Sequence, residues 1–485
     1  MSGPFGSSQW MYASGAEAES QALRFNDGDS AYLSWTPSTA GTLTKCTFSA
    51  WVKRGNLSSS ISDIKAIVGT NNGGSSFRDV LRFTDDNGTD VLSFQHRALS
   101  SYTLYTPAVF RDPSAWYHIV LAIDTTQATE ADRVNIYVNG EAQTLSGTYP
   151  PQNNNTQFGR DCAQYIGARS IDGSTIVDFF DGYMSEVNFV DGTALDPTSF
   201  GETDANGQWV PITAPSVTYG TNGYYLTFEN GIGDDESGNS NDFTATNLAT
   251  TDLMLDSPTN NFSTMNPLAS SSTLSEGNLR SQYSGSGNYK TAASTMSISS
   301  GKWYVELRTT IDSSYVFYPG FGIADITTTA ASNPTSTDYL GNTNNGIAYY
   351  TNNGFFVNNV IDQSSTVTVS SGDILGIAID LDSSQNTFKI YQNGTLAETY
   401  NINAPANAYA FCESTYFLAT AARADWNFGS DSSFHGLETA QGNQDENGFG
   451  DFYYAPPTGY LALCSQNLPD PAITDGSDYF NTVLY

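Results

Sequence analysis

The sequence predicts an all-β protein: two antiparallel β-sandwiches in tandem with short terminal extensions. Short runs rich in Val, Ile, Tyr, Phe and Thr recur along the 485 residues, and almost none has a helical period. Clusters of Asn, Asp and Gly separate these runs. Asn139-Gly140 and Asn393-Gly394 each follow an alternating run. This is a strong hairpin signal, because both residues tolerate the positive φ of a type I′ turn.

The chain is too long for one ordinary core, and its two Asn-Gly hairpins lie far apart. The clearest predicted strands are 46–52, 116–123, 134–138, 302–308, 374–381 and 387–392. The predicted organisation is an arm at 1–20, a sandwich at 21–228, a linker at 229–266, a second sandwich at 267–464 and a tail at 465–485. The acidic, Gly- and Ser-rich composition after residue 229 predicts a solvated connector.

Charge excludes some partners. Lys plus Arg is 18 and Asp plus Glu is 50, a formal net charge of −32, so phosphate backbones and anionic lipid surfaces are repelled. We therefore expect no nucleic-acid binding.

Charged residues are only 14% and aromatic residues 13%, which indicates a folded chain with an uncharged polar surface. No apolar run approaches the ~18 residues of a membrane span, and the first residues lack the pattern of a secretory signal. Membrane insertion and export by that route are not expected.

The N-terminal arm predicts a docking segment. Phe5, Trp10, Met11 and Tyr12 interrupt a stretch of Gly, Ser and Ala, and a free arm with exposed aromatic side chains is unfavourable. Docking on its own domain and docking on another subunit both stay open. The tail ends in an apolar Thr-Val-Leu-Tyr and is a second docking candidate.

Six motifs follow one another in the first half, at 23–29, 48–53, 116–120, 134–140, 165–168 and 180–187. In this order they resemble the laminin G-like, concanavalin A-type lectin/glucanase sandwich, over about residues 21–228. The resemblance implies a two-sheet jelly roll whose concave face often binds glycans, sometimes with a calcium ion at one rim.

The second half contains the motifs 301–306, 320–324, 372–382, 388–394 and 427–429. These resemble a SPRY domain over about residues 267–464, a family that is non-catalytic and binds partners through surface loops. The two modules together, with 456–463 and the C-terminal Asn-Thr-Val-Leu-Tyr, resemble proteins encoded by marine tailed phages.

The resemblance implies a virion protein, assembled in the host cytoplasm and exposed on the particle as a fibre or surface appendage. We expect it to bind host-surface glycans or proteins and to contact other virion proteins through its arm or tail. A purely structural capsid decoration protein and a glycan hydrolase are the alternatives. A homo-oligomer, such as the trimer usual for viral fibres, stays open.

The sequence does not predict catalysis. Glucanases of the concanavalin A-like fold carry E-x-D-x-x-E on one strand, and this motif is absent. The nearest candidate is DFFDGYMSE at 178–186, where Asp181 and Glu186 are five residues apart and fall on opposite faces of a regular strand. The scattered histidines, including His118, are expected to be structural. The four widely spaced cysteines are expected to be buried small hydrophobes, although one bridge within each half stays open.

Two kinds of binding site are candidates. Asp27 and Asp29 form an oxygen-rich cluster that suits calcium, although the cluster also suits plain turn chemistry. Sugar binding needs aromatic platforms and amide hydrogen bonds, and the candidate residues are Tyr102, Tyr105, Tyr350, Asn352 and Asn353. Trp51, Trp116 and Trp303 are expected to be core residues instead.

Overall fold

The computed structural model describes residues 21–58, 60, 62–75, 77–86, 88–282, 289–310, 319–326, 339–342, 346–351, 353–365, 367–403, 408–416 and 423–469. Antiparallel strands dominate these residues, which confirms the predicted all-β fold class. The helical segments that they contain are single 3₁₀ turns, at Asp27–Asp29, Glu130–Asp132, Pro197–Ser199, Thr250–Asp252 and Ser465–Asn467. Within these ranges, no helix has the length and apolar character that a membrane span requires.

The chain divides into two compact units. The described residues of the N-terminal unit fall within 21–111 and 116–260, and those of the C-terminal unit fall within 112–115 and 261–469.

The N-terminal unit contains twenty of the described strands. In chain order they are β1 (Ala22–Phe25), β2 (Tyr32–Trp35), β3 (Lys45–Arg54), β4 (Lys65–Asn71), β5 (Phe77–Asp86), β6 (Thr89–Ala98), β7 (Ser100–Val109), β8 (Trp116–Asp124), β9 (Val134–Val138), β10 (Glu141–Ala142), β11 (Ser146–Gly147), β12 (Ala163–Ile166), β13 (Arg169–Ser170), β14 (Ile176–Val177), β15 (Gly182–Asp191), β16 (Gly201–Thr203), β17 (Trp209–Pro211), β18 (Tyr224–Leu226), β19 (Thr244–Thr246) and β20 (Leu253–Met254).

Two sheets form the sandwich of this unit. The first has the order β10-β9-β8-β3-β15-β1-β20, with β18 also on β15, and the second has the order β11-β7-β6-β5-β4-β12-β2-β19. Their inner faces pack on each other: Arg54 of the first sheet lies 4.0 Å over the Phe83 ring of the second and pairs with Asp90 at 2.8 Å. The pairs β13–β14 and β16–β17 are separate hairpins.

The C-terminal unit is built in the same way. Its described strands are β21 (Met265–Ser270), β22 (Thr273–Ser275), β23 (Arg280–Gln282), β24 (Tyr289–Ile298), β25 (Lys302–Thr310), β26 (Pro319–Asp325), β27 (Gly346–Tyr350), β28 (Gly354–Val357), β29 (Val360–Ser364), β30 (Ile374–Asp380), β31 (Asn386–Gln392), β32 (Thr395–Ile402), β33 (Tyr409–Tyr416), β34 (Arg423–Asn427) and β35 (Leu461–Ala462). One sheet has the order β21-β24-β33-β26-β27-β28-β29, and the other has the order β22-β23-β34-β25-β30-β31-β32 with β35 on β25. Phe355 of the one meets Phe388 of the other at 5.1 Å between ring centroids.

Local sequence patterns predict these elements well. All six predicted strands are present, and their ends differ by no more than two residues. Both Asn-Gly pairs have positive φ, 52° and 81° at Asn139-Gly140 and 49° and 78° at Asn393-Gly394, as type I′ turns require. The side chains of Trp51, Trp116 and Trp303 are buried, as expected.

The segment 229–266 differs from the solvated connector that its composition predicts. Within it, β19 pairs with β2 and β20 pairs with β1, so these residues extend both sheets of the N-terminal unit. Asp256 is fully buried, because Lys53 binds it at 2.6 Å and the Trp116 indole donates to it at 3.2 Å. Asp235 is held by its own loop, where its carboxylate accepts the N–H of Tyr225 at 2.9 Å. This folded segment therefore has the composition of a linker because its polar side chains form hydrogen bonds with local backbone groups.

Candidate functional site

The outer face of the second sheet of the N-terminal unit carries the candidate site. Strand side chains alternate between faces, and Phe83 and Leu81 point inward to the core. Arg78, Val80 and Arg82 of the same strand therefore lie on the outer face. Arg78 is paired in register with Arg97 of β6.

The β13–β14 hairpin crosses this outer face. It lies directly on β4 because Gly69 has no side chain there: a Cβ at Gly69 would come within 2.7 Å of the Ala168 carbonyl and of the Arg169 Cβ. The Arg78 guanidinium donates to the Ile171 carbonyl at 3.2 Å, and the Asn71 amide donates to the Ser170 carbonyl at 3.1 Å. The hairpin is thus anchored at its base and along its first arm.

A groove of about 430 Å³ opens between the hairpin tip and strands β12, β2 and β19. We call it the outer groove. Its aromatic lining is Tyr32, Trp35 and Tyr165, and its polar lining is Ser34, Thr36, Ser174, Asp242 and Thr244, with Ala163, Gly173 and Ile176 completing it.

The lining of the outer groove is preorganised. Tyr32 and Tyr165 contact each other edge to face, with ring centroids 6.0 Å apart and an interplanar angle of 65°. Tyr32 also packs against Phe179 at 6.2 Å, and Tyr165 is only 5% exposed. Hydroxyl groups and one carboxylate surround these rings. Such a surface can stack on an apolar ring face and can donate and accept hydrogen bonds around it.

Four arginines stand beside the groove on the same face, an arrangement that sequence analysis missed. Arg78, Arg82, Arg97 and Arg169 form this set, which we call the arginine cluster. Burial and the neighbouring guanidinium groups lower the pKa of Arg78 and of Arg82 to about 10, so both stay charged at neutral pH. Asp178 is the carboxylate that raises both pKa values, and it accepts a hydrogen bond from Arg169 Nε. In the described part of the chain, these four positive charges therefore face one neighbouring carboxylate. The spacing of Arg78 and Arg82 on one alternating strand was the available signal.

Of the predicted glycan-binding residues, Tyr102 and Tyr105 belong to the N-terminal unit, where they lie on opposite faces of the second sheet. Tyr105 is paired with Ser93 and lies beside Arg82 on the outer face. Tyr102 is three residues away and therefore on the opposite face, where it stacks on His96 at 5.8 Å.

The remaining predicted glycan-binding residues belong to the C-terminal unit. Tyr350, expected in a surface loop, is instead buried at the end of β27, and its hydroxyl donates to the Leu340 carbonyl at 3.0 Å. Asn353 closes the turn that follows, with its N–H on the Tyr350 carbonyl at 3.0 Å. Asn352 lies outside the described residues. The predicted position of Tyr350 was wrong because a strand of aromatic residues ends directly at a polar turn.

The proposed calcium ligands have a different setting. Asp27 binds the Lys65 ammonium at 2.6 Å, and the same ammonium reaches Asp63 at 3.1 Å. Asp29 accepts a hydrogen bond from the Asn26 amide at 2.8 Å. Within the described ranges, no group of three or more His, Cys, Asp or Glu side chains is arranged to hold a metal. A lysine therefore supplies positive charge at Asp27, and calcium binding there stays a prediction.

Asp181 and Glu186, the nearest approach to a carboxylate pair, are both buried and have separate partners. Asp181 accepts a hydrogen bond from the Asn56 amide at 3.0 Å, and burial, together with the nearby Asp27, raises its pKa well above the usual value. Glu186 stands at a bulge of β15 with a φ of 50°. The Tyr225 hydroxyl donates to it, and burial raises its pKa to about 8.

His118 and the four cysteines, which the sequence predicts to be structural, are buried. His118 stacks on Trp51 at 4.9 Å, accepts the Trp209 indole N–H at Nδ1 over 2.9 Å, and bonds Ser49 through Nε2 at 2.8 Å. Burial lowers the pKa of His118 to about 3, so the ring is neutral and its Nε2–H donates to the serine. Cys46, Cys162, Cys412 and Cys464 are free and buried. Phe5, Trp10, Met11 and Tyr12 lie outside the described residues.

Comparison with known proteins agrees with this fold. Residues 27–199 match the family described as the concanavalin A-like lectin/glucanases superfamily, in its laminin G-like branch. No curated protein gives a significant match.

Several solved structures are similar in part, all at low sequence identity. The human HERC1 SPRY domain is 14% identical over 33% of this chain and 96% of its own, with a TM-score of 0.28. A heptameric SAP-like pentraxin from Limulus polyphemus is 16% identical over 37% of this chain and 79% of its own, with a TM-score of 0.29. The CBM40 of a Ruminococcus gnavus sialidase, solved with α2,3-sialyllactose, is 19% identical over 30% of this chain and 73% of its own, with a TM-score of 0.22. Residues 27–199 thus form a laminin G-like, concanavalin A-like domain, and SPRY domains are among the structural neighbours of the chain.

Proposed function

We propose that this protein is a non-catalytic carbohydrate-binding protein and that the outer groove of its N-terminal unit is the binding site. The observation that carries the proposal is the groove itself: about 430 Å³ of concave surface, lined by rings and hydroxyl groups, on the outer face of the second sheet. Pockets that orient small ligands combine apolar or aromatic walls with a few fixed polar groups.

The outer faces of the two sheets of the N-terminal unit are covered to different extents. On the first sheet, Trp209 of the β16–β17 hairpin packs over His118, and Asp256 covers Lys53 and Trp116. On the second sheet, the β13–β14 hairpin covers only the part around Gly69 and leaves Tyr32 half-buried. An aromatic ring kept at a groove on this face is available for a ligand.

Non-catalytic action is part of the proposal. Hydrolysis of a glycosidic bond usually requires two carboxyl groups about 5–10 Å apart on either side of the sugar. Asp181 and Glu186 are each enclosed by their own hydrogen-bonding partners, and neither lines the outer groove. Asp242 is the single carboxylate among the groove-lining residues.

For the biological setting, we propose a tailed-phage virion, where the protein is a fibre or surface appendage that contacts host glycans. The support is the resemblance of the two modules, in this order, to such virion proteins, together with the aromatic residues of the segment 1–20. Immunogold labelling of particles with antibody to the full chain tests this setting. If the particles carry the label but their adsorption to host cells does not depend on the protein, the decoration role is favoured.

The binding proposal is tested with the full chain on a glycan array, followed by calorimetric titration of the best glycan. Tyr32→Ala should weaken that binding about tenfold or more, because it removes one stacking surface. Tyr149→Ala is the matched control, since Tyr149 is also half-buried in the N-terminal unit but lies outside the groove. Equal affinity in both variants would contradict the groove assignment, and release of shortened products would contradict the non-catalytic role.

A further inference from the structure

The arginine cluster is an unusual concentration of charge for this chain. The sequence has 18 Lys and Arg residues against 50 Asp and Glu, yet Arg78, Arg82 and Arg97 share the outer face of one sheet, and Arg169 joins them from the hairpin that crosses that face. Burial, together with the neighbouring guanidinium groups, lowers the pKa of Arg78 and Arg82, so holding these charges side by side in the folded protein costs stability. Such an arrangement is expected where a ligand supplies the missing negative charge.

The cluster also has unused hydrogen-bond donors. The Nε atoms of Arg78 and Arg97 and the Nη1 atom of Arg169 are buried and have no partner. Arg82 is 8% exposed, and in the described part of the chain its guanidinium donates only through Nε, to the Ser93 hydroxyl at 3.2 Å. The Arg97 guanidinium makes no hydrogen bond to any described residue. A guanidinium presents its N–H groups as a fork that fits carboxylate and sulfate oxygens.

Among the described residues, Asp178 is the acidic group that faces the cluster, and the other carboxylates close to it in sequence have partners elsewhere. Asp172, at the tip of the hairpin, accepts the N–H groups of Ser174 at 2.9 Å and Thr175 at 2.6 Å, so its carboxylate is held by its own turn. Asp79, although adjacent to Arg78, lies on the inner face, where it binds His96 at 2.6 Å.

The cluster and the outer groove lie on the same face. Arg82 stands on β5 and Tyr165 on β12, two strands away in the sheet order, which corresponds to about 10 Å at normal strand spacing. The β13–β14 hairpin contributes to both, with Arg169 in the cluster and Ser174 in the groove. A sugar bound in the groove therefore has a neighbouring unit within reach of the guanidinium groups.

We infer that the arginine cluster is an anion subsite that binds a carboxylate or sulfate group on the saccharide held in the outer groove. This inference rests on the proposed function and deepens it, because it names the ligand class as acidic glycans. A ligand with isolated anionic groups fits better than a densely charged polyanion, because the net charge of −32 repels the latter at long range.

The first test uses inorganic sulfate and acetate, which need no knowledge of the sugar. Both anions are titrated into the full chain at constant ionic strength with chloride as reference, and the melting temperature is recorded. We expect a saturable rise in wild type that is lost in Arg97→Gln and in Arg82→Gln. Arg111→Gln is the matched control, since it removes the same charge from an exposed site in the N-terminal unit. A rise common to all four proteins is a general salt effect and would overturn the inference.

The second test separates this inference from the proposed function. The probes are matched oligosaccharide pairs: galacturonate against galactose oligomers, and galactose 6-sulfate against galactose oligomers. We expect the acidic member to bind wild type about tenfold more tightly, and Arg97→Gln to remove that preference while it keeps neutral-sugar binding. If wild type binds the acidic and the neutral member equally and Tyr32→Ala loses both, the anion subsite is overturned while the assignment of the outer groove is retained. A response to sulfate or acetate that depends on Arg97, without binding of any saccharide on the array, would retain an anion site and overturn the proposed function.

Discussion

Replacement of Glu186 by Gln tests whether this carboxyl group is a buried neutral group, as its surroundings indicate. Glu186 is 3% exposed, and burial raises its pKa from 4.5 to about 8. In the unfolded chain the group ionises near pH 4.5, whereas in the folded protein it keeps its proton until about pH 8. Stability from this group is therefore fully present below pH 4.5 and is lost as the pH rises through 8.

The magnitude follows from the two pKa values. Each unit of difference corresponds to between 1 and 2 kcal/mol, so wild type should lose about 3 to 4 kcal/mol relative to Glu186→Gln between pH 5 and pH 8. The amide cannot ionise, and its oxygen can still accept the hydrogen bond from the Tyr225 hydroxyl.

The assay is urea denaturation of both proteins at four pH values from 5 to 8, with tyrosine and tryptophan fluorescence as the signal. The N-terminal unit should be more stable in the variant at pH 8 than in wild type, relative to their difference at pH 5. Parallel stability profiles would refute the reasoning, because they would mean that Glu186 is ionised and hydrated in the folded protein. Glycan cleavage that disappears in Glu186→Gln would show instead that the raised pKa serves catalysis.

Three further predictions concern the rest of the chain. Gly69→Ala should lower the free energy of unfolding by about 1–3 kcal/mol and weaken glycan binding, because the added Cβ comes within 2.7 Å of the β13–β14 hairpin. An unchanged melting temperature and an unchanged glycan affinity would contradict the placement of this hairpin on β4. Lys65→Met should cost about 2–4 kcal/mol in a denaturant titration, because it leaves the carboxylate of Asp27 without its ammonium; wild-type stability in this variant would contradict the pairing. EDTA decides the calcium prediction at the same place: a lower melting temperature of wild type would indicate a bound cation, and an unchanged one would contradict it. Glu306→Gln should destabilise the C-terminal unit by about 1–3 kcal/mol. The carboxylate accepts the N–H groups of Tyr453 and Tyr454, both at 2.8 Å, and in the variant the amide NH₂ would face one of these donors. Wild-type stability in this variant would contradict that geometry.

The strands and turns could be predicted from the sequence because their causes are local. Alternation predicts a half-buried strand, and Asn393-Gly394 predicts a tight hairpin, whatever the rest of the chain does. The burial of Trp51 and the structural surroundings of His118 could also be predicted, because both residues lie in runs that contain several large apolar side chains.

The candidate site could not be predicted in the same way, because it depends on which strands become neighbours. Tyr32 and Tyr165 are distant in the sequence and meet only because β2 pairs with β12. Arg169 joins Arg82 only because Gly69 lets the hairpin lie on the sheet. Tyr102 and Tyr105 look equivalent in the sequence, yet the pleat places them on opposite faces.

The most direct test of the central claim is a crystal structure of the full chain with the best glycan from the array. We predict a sugar ring against the half-buried Tyr32 in the outer groove, with every glycosidic bond intact. Ordered sugar at another surface of the chain, with the outer groove empty at saturating ligand, would contradict the account.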